Sequence, residues 1–194
     1  MKNLFYRALL IACFVGVASG CSKSIEPDQQ PRTLAQARQV ALDLFKHLDG
    51  FNLEKQTEES QAGRPAVRME ALWTHDGEKR RGVIYVIEQP ALFNEIHYTA
   101  PIEPEVFNAG FAVFQNVLKN LKVVSDISTL TVNEQGDEKV MLSPDLQLEI
   151  HYPSTWVYSL DDVNRALVFS GPHGAPTWMT TINFSVINKW EKAK

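Results

Sequence analysis

The histidines are the most versatile candidate functional residues in this 194-residue chain, because imidazole binds metal ions and transfers protons near neutral pH. The five histidines are His47, His75, His97, His151 and His173. No two of them are spaced as H-x-H or H-E-x-x-H. His97 and His151 occupy polar positions on two predicted strands, and with Glu95 or Glu149 they would bind a metal if those strands met. Solvated strand histidines are commoner, so we expect no metal site.

Four other polar groupings have simpler structural interpretations. The His-Asp pair at 75–76 belongs to an Asp-Gly turn, and the Asp-Asp pair at 161–162 supplies too few oxygens for Ca²⁺ by itself. Segment 171–176 has the glycines of a phosphate loop without its lysine or helix, and the basic run 79–81 is typical of a solvated strand end. The sequence therefore predicts no catalytic residues and no cofactor.

Aromatic residues are numerous, with four Trp, five Tyr and ten Phe. Most should fill the core, where their large apolar surfaces are best buried. Any that lie exposed beside the predicted loops at 153–159 and 171–177 would mark a surface for another protein. We predict that this partner surface consists of Trp156, Tyr158, His173 and Trp178.

Cys21 is the residue with the clearest predicted chemistry. Two basic residues within the first seven precede an apolar run at 8–17, and Ala-Ser-Gly comes just before Cys21. This order is typical of a secretory signal. Segment 18–21 resembles the lipobox of bacterial lipoproteins, which implies cleavage between Gly20 and Cys21. It also implies a diacylglycerol on the cysteine sulfur and a fatty acid such as palmitate on its amine.

The lipid would attach the chain firmly to a membrane, because two or more acyl chains hold a protein stably at a bilayer. Ser22 follows the cysteine where Asp would resemble an inner-membrane retention signal. The expected location is therefore the outer membrane of a Gram-negative cell, facing the periplasm.

Composition limits the remaining functions. Residues 1–20 contain two of the 19 basic residues and none of the 23 acidic ones, so the rest of the chain carries a formal charge of −6. Such a chain has no electrostatic reason to bind nucleic acid. Cys13 leaves with the signal and Cys21 is lipidated, so no thiol is expected in the fold. We predict a flexible tether at 21–32 and a single domain at 33–190.

Two helices are predicted from apolar periodicity. Thr33 is a candidate N-cap, and Gln36 stands three residues later as in a capping box. The pattern continues over 33–48, with Gly50 placed as the C′ residue. A second, wider apolar stripe predicts a helix over 104–121.

Alternation of apolar and polar residues predicts strands at 67–74, 80–88, 92–99, 146–152, 166–169 and 178–186. The first three form an antiparallel meander, and segment 125–139 is a connector with a short strand near 130–132. The predicted class is α+β, with one antiparallel sheet of about six strands packed against two helices.

Two parts of the chain carry motifs of a known fold. Tyr-Pro-x-x-Trp at 152–156, Phe-x-Gly-Pro at 169–172 and strand 178–187 resemble the first half of the PsbP-like family, which includes bacterial envelope lipoproteins similar to DcrB. The helix and meander of 33–124 resemble the second half of that family. In this chain the order is reversed, with connector 125–139 leading from 33–124 to 140–190.

The reversed order has two explanations. In a circular permutant, strand 146–152 or 178–186 hydrogen-bonds to the meander of the same chain. In a domain-swapped homodimer, each half finds its complement in a second chain. We prefer the permutant, because the connector is long enough to cross a small domain.

The resemblance implies a function without chemistry of its own, since PsbP-like proteins mostly serve as adaptors, chaperones and assembly factors. We therefore expect a non-enzymatic lipoprotein that holds an envelope protein. The alternative is a lipoprotein that binds a small ligand or a metal in a pocket between the sheet and the helices.

Overall fold

A computed structural model describes residues 30–161 and 166–189. The predicted signal cleavage site at Gly20, the predicted lipidation site at Cys21 and most of the predicted tether lie outside these described residues. Within them, no helix has both the length and the apolar character needed to cross a bilayer.

The described chain folds into two helices, eleven strands and a short 3₁₀ helix. The helices are α1 (Leu34–Phe45) and α2 (Pro104–Asn120), and the 3₁₀ helix spans Pro176–Met179. The strands are β1 (Asp49–Gln61), β2 (Arg64–His75), β3 (Glu78–Glu88), β4 (Leu92–Pro101), β5 (Lys122–Val123), β6 (Thr131–Gln135), β7 (Glu138–Ser143), β8 (Leu148–Pro153), β9 (Val157–Asp161), β10 (Ala166–Ser170) and β11 (Thr181–Asn188).

The strands form two antiparallel sheets. The larger has the order β1-β2-β3-β4-β11-β10-β9, and the smaller has the order β5-β8-β7-β6. The α+β class with two helices is confirmed, whereas the prediction of one sheet with about six strands is wrong. Strand β1 was not predicted, because it is mostly exposed and polar. Strand β6 overlaps the short strand predicted near 130–132, whereas β7, which begins at the end of the predicted connector, was not predicted.

Helix α1 begins as the sequence predicts. The Thr33 hydroxyl accepts a hydrogen bond from the Gln36 backbone N–H, and the Gln36 side chain accepts one from the backbone N–H of Arg32. The helix ends at Phe45, earlier than predicted, so Gly50 is not its C′ residue. Gly50 instead lies in β1 with a φ of +62°, at an irregularity in the pairing with β2.

The predicted meander is present and is extended by β1. A tight turn at His75–Glu78 joins β2 to β3, with positive φ angles at Asp76 and Gly77, as the Asp-Gly sequence indicates. Residues 83–87 of β3 are all buried, because both faces of the large sheet are covered there.

The two faces of the large sheet carry separate cores. Helix α2 and the small sheet cover one face, whose core includes Tyr98 and Phe114, with their rings stacked at 5.4 Å. The Tyr98 hydroxyl donates a hydrogen bond of 2.6 Å to the Phe107 carbonyl of α2. Helix α1 covers β2, β3 and β4 on the other face, where Phe45 packs against Trp73.

Strand β11 pairs with β4 along its whole length, from Thr181 opposite Thr99 to Asn188 opposite Leu92. The last predicted strand therefore joins the meander within one chain. It begins at Thr181 and not at Trp178, because residues 176–179 form the 3₁₀ helix. The predicted strand 146–152 corresponds to β8, which belongs to the small sheet.

Candidate interaction edge

The four residues of the predicted partner surface have different environments. Trp156 is only 3% exposed and belongs to the core, so its placement on a surface is wrong. Tyr158 lies on β9 and is 39% exposed. His173 is exposed in the turn after β10, and its ring contacts the half-buried Trp178 edge to face at 4.6 Å.

Strand β9 brings Tyr158 close to that turn. It pairs with β10 from Val157 opposite Ser170 to Asp161 opposite Ala166. Because the turn begins directly after Ser170, the first residues of β9 and the turn lie at the same end of the sheet. On its other side, β9 has no strand partner among the described residues and forms an edge of the large sheet.

Apolar side chains on β9 are unusually exposed. The exposed fractions are 57% for Val157, 39% for Tyr158 and 56% for Leu160. Since side chains alternate along a strand, Tyr158 and Leu160 share one face and Val157 points to the other. The edge therefore has apolar groups on both faces, and a contact that covers β9 would bury them.

Sequence reasoning missed Val157 and Leu160 because it predicted no strand there. The run Val-Tyr-Ser-Leu at 157–160 contains residues with high β-propensity, and this was the signal available. Even a correct strand assignment would not have shown that both faces of β9 are exposed. That exposure depends on whether the helices and the small sheet extend far enough to cover β9.

Aromatic residues beneath β9 hold it in place. Tyr158 lies opposite Phe169 of β10, with 6.3 Å between the ring centroids. Phe169 is buried and contacts Tyr152 at 4.6 Å and Phe184 at 5.6 Å. Burial raises the pKa of Tyr152 to about 12, and the nearby Tyr158 contributes to the increase. The phenol of Tyr152 is thus neutral at physiological pH, which suits an apolar support.

A small cavity of about 180 Å³ opens beside the far end of β9, between the large sheet and the corner that joins β7 to β8. Its lining includes Asp145, Leu146, Leu160, Asp161 and Leu167. The corner is held by buried amides, because the Leu146 carbonyl accepts hydrogen bonds from Asn94 at 3.0 Å and from Gln89 at 3.4 Å. The cavity therefore has one wall on the edge strand and one on a well-supported loop.

His97 and His151 would have formed a metal site only if their strands met, and they lie in different sheets. His97 lies on the large sheet, where Nδ1 is 3.3 Å from the buried carboxylate of Glu95. His151 lies on the small sheet, 2.8 Å from Glu149. Across residues 30–161 and 166–189, no group of three His, Cys, Asp or Glu residues is arranged to hold a metal.

Glu149 makes a structural ion pair. Hydrogen bonds from Lys122, at 2.6 Å, and from His151 lower the pKa of its carboxyl group. Lys122 and Glu149 lie opposite each other on β5 and β8, so the pair links the short strand to its neighbour.

The other polar groupings are also structural. His75 ends β2 and Asp76 begins the β2–β3 turn, while residues 171–175 form a turn that leads into the 3₁₀ helix. The interpretation of 79–81 as a solvated run is wrong at Arg80, which is only 4% exposed. Its guanidinium donates to Glu78 at 2.9 Å and to the Met179 carbonyl at 2.8 Å, which ties the 3₁₀ helix to the sheet. Of the Asp pair at 161–162, the second residue lies outside the described part.

A larger cavity, of about 440 Å³, opens at the start of α1 and is lined mostly by polar residues between 30 and 43. It lies along the outside of the helix rather than between the helix and the sheet. Neither of these two cavities lies between the sheet and the helices, where the alternative function would place a ligand pocket.

Comparisons with known proteins returned no family model, no curated protein and no solved structure that matches the chain.

Proposed function

We propose that this chain is a lipid-anchored envelope lipoprotein that acts as a non-enzymatic adaptor or assembly factor, holding a partner protein at β9. The partner adds an extended segment to the large sheet as a further strand. The observation that carries the proposal is the exposed apolar edge formed by Val157, Tyr158 and Leu160.

Strand addition follows from the physics of a sheet edge. Along an edge strand, about half of the backbone N–H and C=O groups point away from the sheet, where an incoming strand can pair with them. Each such hydrogen bond contributes about 0.5–1.5 kcal/mol net. Covering the three apolar side chains adds a hydrophobic contribution, which a purely polar edge would lack.

The membrane anchor and the fold family are further parts of the proposal. Lipid on Cys21 would confine the domain to a membrane surface, so the partner would be an envelope protein. A permuted PsbP-like domain is supported by the pairing of β11 with β4 in one chain. The resemblance to that family implies adaptor and assembly roles. Such roles need a surface that binds another protein, and the exposed edge at β9 is a surface of this kind.

Site-specific crosslinking tests the proposal in the full, lipidated chain. A photo-crosslinking amino acid replaces Val157 on β9 or, as the matched control, Gln56 on the opposite edge of the sheet. We expect a discrete protein adduct from position 157 in intact cells and none from position 56. Equal labelling from both positions, or none from position 157, would contradict an interaction at β9.

A pair of charge variants tests whether the apolar edge is needed. Val157→Lys with Leu160→Lys places a cation on each face of β9, and Gln56→Lys with Ser60→Lys adds the same charge to β1. We expect the partner to be lost from detergent-solubilised pull-downs only with the β9 variant. If no protein copurifies with the native chain and native mass spectrometry shows a bound small molecule, the alternative ligand-binding function is correct.

A further inference from the structure

We propose that β9 pairs with β9 of a second copy of this chain when no partner strand occupies it. The two strands run antiparallel, with a two-fold axis at Ser159. The inference rests on the proposed function, because it adds a second occupant that competes with the partner for the same edge.

The order of residues along β9 is complementary to itself. Two identical antiparallel strands are symmetric about one position, and symmetry about Ser159 brings all five residues of β9 into the pair. Val157 then lies opposite residue 161 of the second copy, and Tyr158 lies opposite Leu160. Moving the axis to Tyr158 or to Leu160 would leave two residues of each strand without a partner in β9. The axis at Ser159 therefore gives the most complete pairing.

This register also covers exposed apolar side chains. Tyr158 and Leu160 project to one face of the sheet, so two pairs of Tyr158 with Leu160 form side by side across the axis. Residues 157–160 carry no charge, and the register places no residue opposite a like charge. Strand β1, in contrast, has three glutamates and an interrupted register with its neighbour. Self-pairing is thus favoured at β9 and not at β1.

The symmetry of the pair agrees with attachment of both copies to one membrane. A two-fold axis that relates two antiparallel edge strands is perpendicular to the sheet, so equivalent faces of the two sheets lie on the same side. Helix α1 covers one face of the large sheet, and the predicted tether at 21–32 precedes this helix in the chain. Both tethers would therefore leave from the same face of the joined sheet, which suits two lipid anchors in one bilayer.

The small size of the interface makes the pair reversible. Strand pairing involves five residues of each copy, whereas a stable specific interface usually has about 20–30 residues on each side. The pair should therefore dissociate in dilute solution and leave β9 open to the partner. Confinement of both copies to one membrane would raise their effective concentration and favour the pair.

A disulfide across the two-fold axis tests the inference. Ser159 is exposed, and in this register its Cα lies about 4.5–5.5 Å from that of the second copy, a separation that a disulfide spans. The full chain with Ser159→Cys is oxidised in detergent at increasing concentrations, and dimers are measured by non-reducing electrophoresis. We expect about tenfold more dimer than with Gln56→Cys on β1 or with the native chain, whose own cysteines are unchanged. Equal yields at positions 159 and 56 would overturn the inference.

Charge variants of the Ser159→Cys chain test the register. Tyr158→Glu with Leu160→Glu places like charges opposite each other, whereas Tyr158→Lys with Leu160→Glu places opposite charges there. We expect about threefold more dimer from the second variant than from the first. Gln56→Glu with Ser60→Glu adds two negative charges at β1 and should retain the dimer. Equal yields from the two β9 variants would contradict symmetry about Ser159.

The outcomes separate this inference from the proposed function. If Ser159→Cys gives no dimer and the photo-crosslinker at position 157 captures a different protein, the inference is wrong, while addition of a partner strand is supported. If position 157 captures only a second copy and Ser159→Cys gives the dimer, the strand pairing is present and the adaptor function is wrong. If neither position gives an adduct, both proposals are wrong.

Discussion

The two edges of the large sheet differ in length, regularity and chemistry. Strand β1 has 13 residues, two irregularities in its pairing with β2, and charged or polar side chains along most of its length. Strand β9 has five residues in uninterrupted register with β10, and three of its side chains are large, apolar and exposed.

The difference shows that the protein is protected against pairing with further strands at β1 and much less so at β9. Charges and bulges discourage addition of further strands, and β1 has both. Its Glu54 also lies 3.7 Å from Arg81 of β3, which directs an acidic side chain across the outer strands. Strand β9 has only its shortness to limit pairing, so the exposed apolar edge is a local property and not a general feature of the sheet.

The side chains that stabilise the two edges also differ, with aromatic packing at β9 and ion pairs next to β1. Beneath β9 lie the rings of Phe169, Tyr152 and Phe184, whereas an ion-pair network of Arg68, Glu70 and Arg81 lies next to β1. We therefore expect cavities to weaken the β9 edge most, and acid to weaken the β1 edge most.

The largest effect should come from Phe169→Ala. Removing a fully buried ring costs about 3–5 kcal/mol in the free energy of unfolding, measured by urea denaturation. Because Tyr158 rests on Phe169, amide hydrogen exchange should accelerate more in β9 than in β1. Equal acceleration at both edges would show that the ring does not support β9 in particular.

A smaller effect is expected from alanine at two glycines near the opposite edges. A Cβ on Gly171 would lie 2.5 Å from the Thr177 carbonyl oxygen, so Gly171→Ala must displace the turn after β10 and should cost about 1–3 kcal/mol. Gly63, between β1 and β2, has a φ of +72° and open space around it, so Gly63→Ala should cost about 1 kcal/mol. Thermal denaturation measures both, and a greater cost at Gly63 would contradict the close packing of the turn.

The double-lysine variants should change stability little, by about 0.5 kcal/mol or less, because the replaced side chains are exposed. Their effects on self-association should differ. Static light scattering of concentrated protein in high salt should fall for Val157→Lys with Leu160→Lys and stay unchanged for Gln56→Lys with Ser60→Lys. A similar fall in both variants would attribute the change to net charge and not to the edge.

The smallest effect is a pH dependence at the β1 edge. Burial raises the pKa of Glu70, but hydrogen bonding with Arg68 and the charges of Arg68 and Arg81 outweigh it, so the net pKa lies below the ordinary 4.5. The carboxylate therefore stabilises the fold above that ordinary value, and this stabilisation is lost as the pH falls through the lowered pKa. The protection factors of β1 amides, which are corrected for the pH dependence of intrinsic hydrogen exchange, should fall over this range, and Glu70→Gln should abolish the fall.

Sequence patterns predicted the elements whose burial is regular. The Thr33 cap, the apolar stripe of α2, and the Asp-Gly turn between β2 and β3 all appear in the structure, since local interactions or one buried face determine them. Strands β1 and β9 were not predicted, because exposed strands lack alternation between apolar and polar residues, and β6 was predicted only as a short strand near 130–132. Trp156 was misplaced because proximity to a loop does not determine whether a side chain points inward.

The sequence by itself determined the lipoprotein hypothesis at Cys21, the acidic character, the two helices and the central strands, because each depends on neighbouring residues or on composition. Only the tertiary structure decided which strands became edges, because strand order depends on long-range pairing such as that of β11 with β4. The same pairing set His97 and His151 in different sheets and left Val157, Tyr158 and Leu160 exposed. The candidate site is a consequence of topology, which no local pattern in the chain encodes.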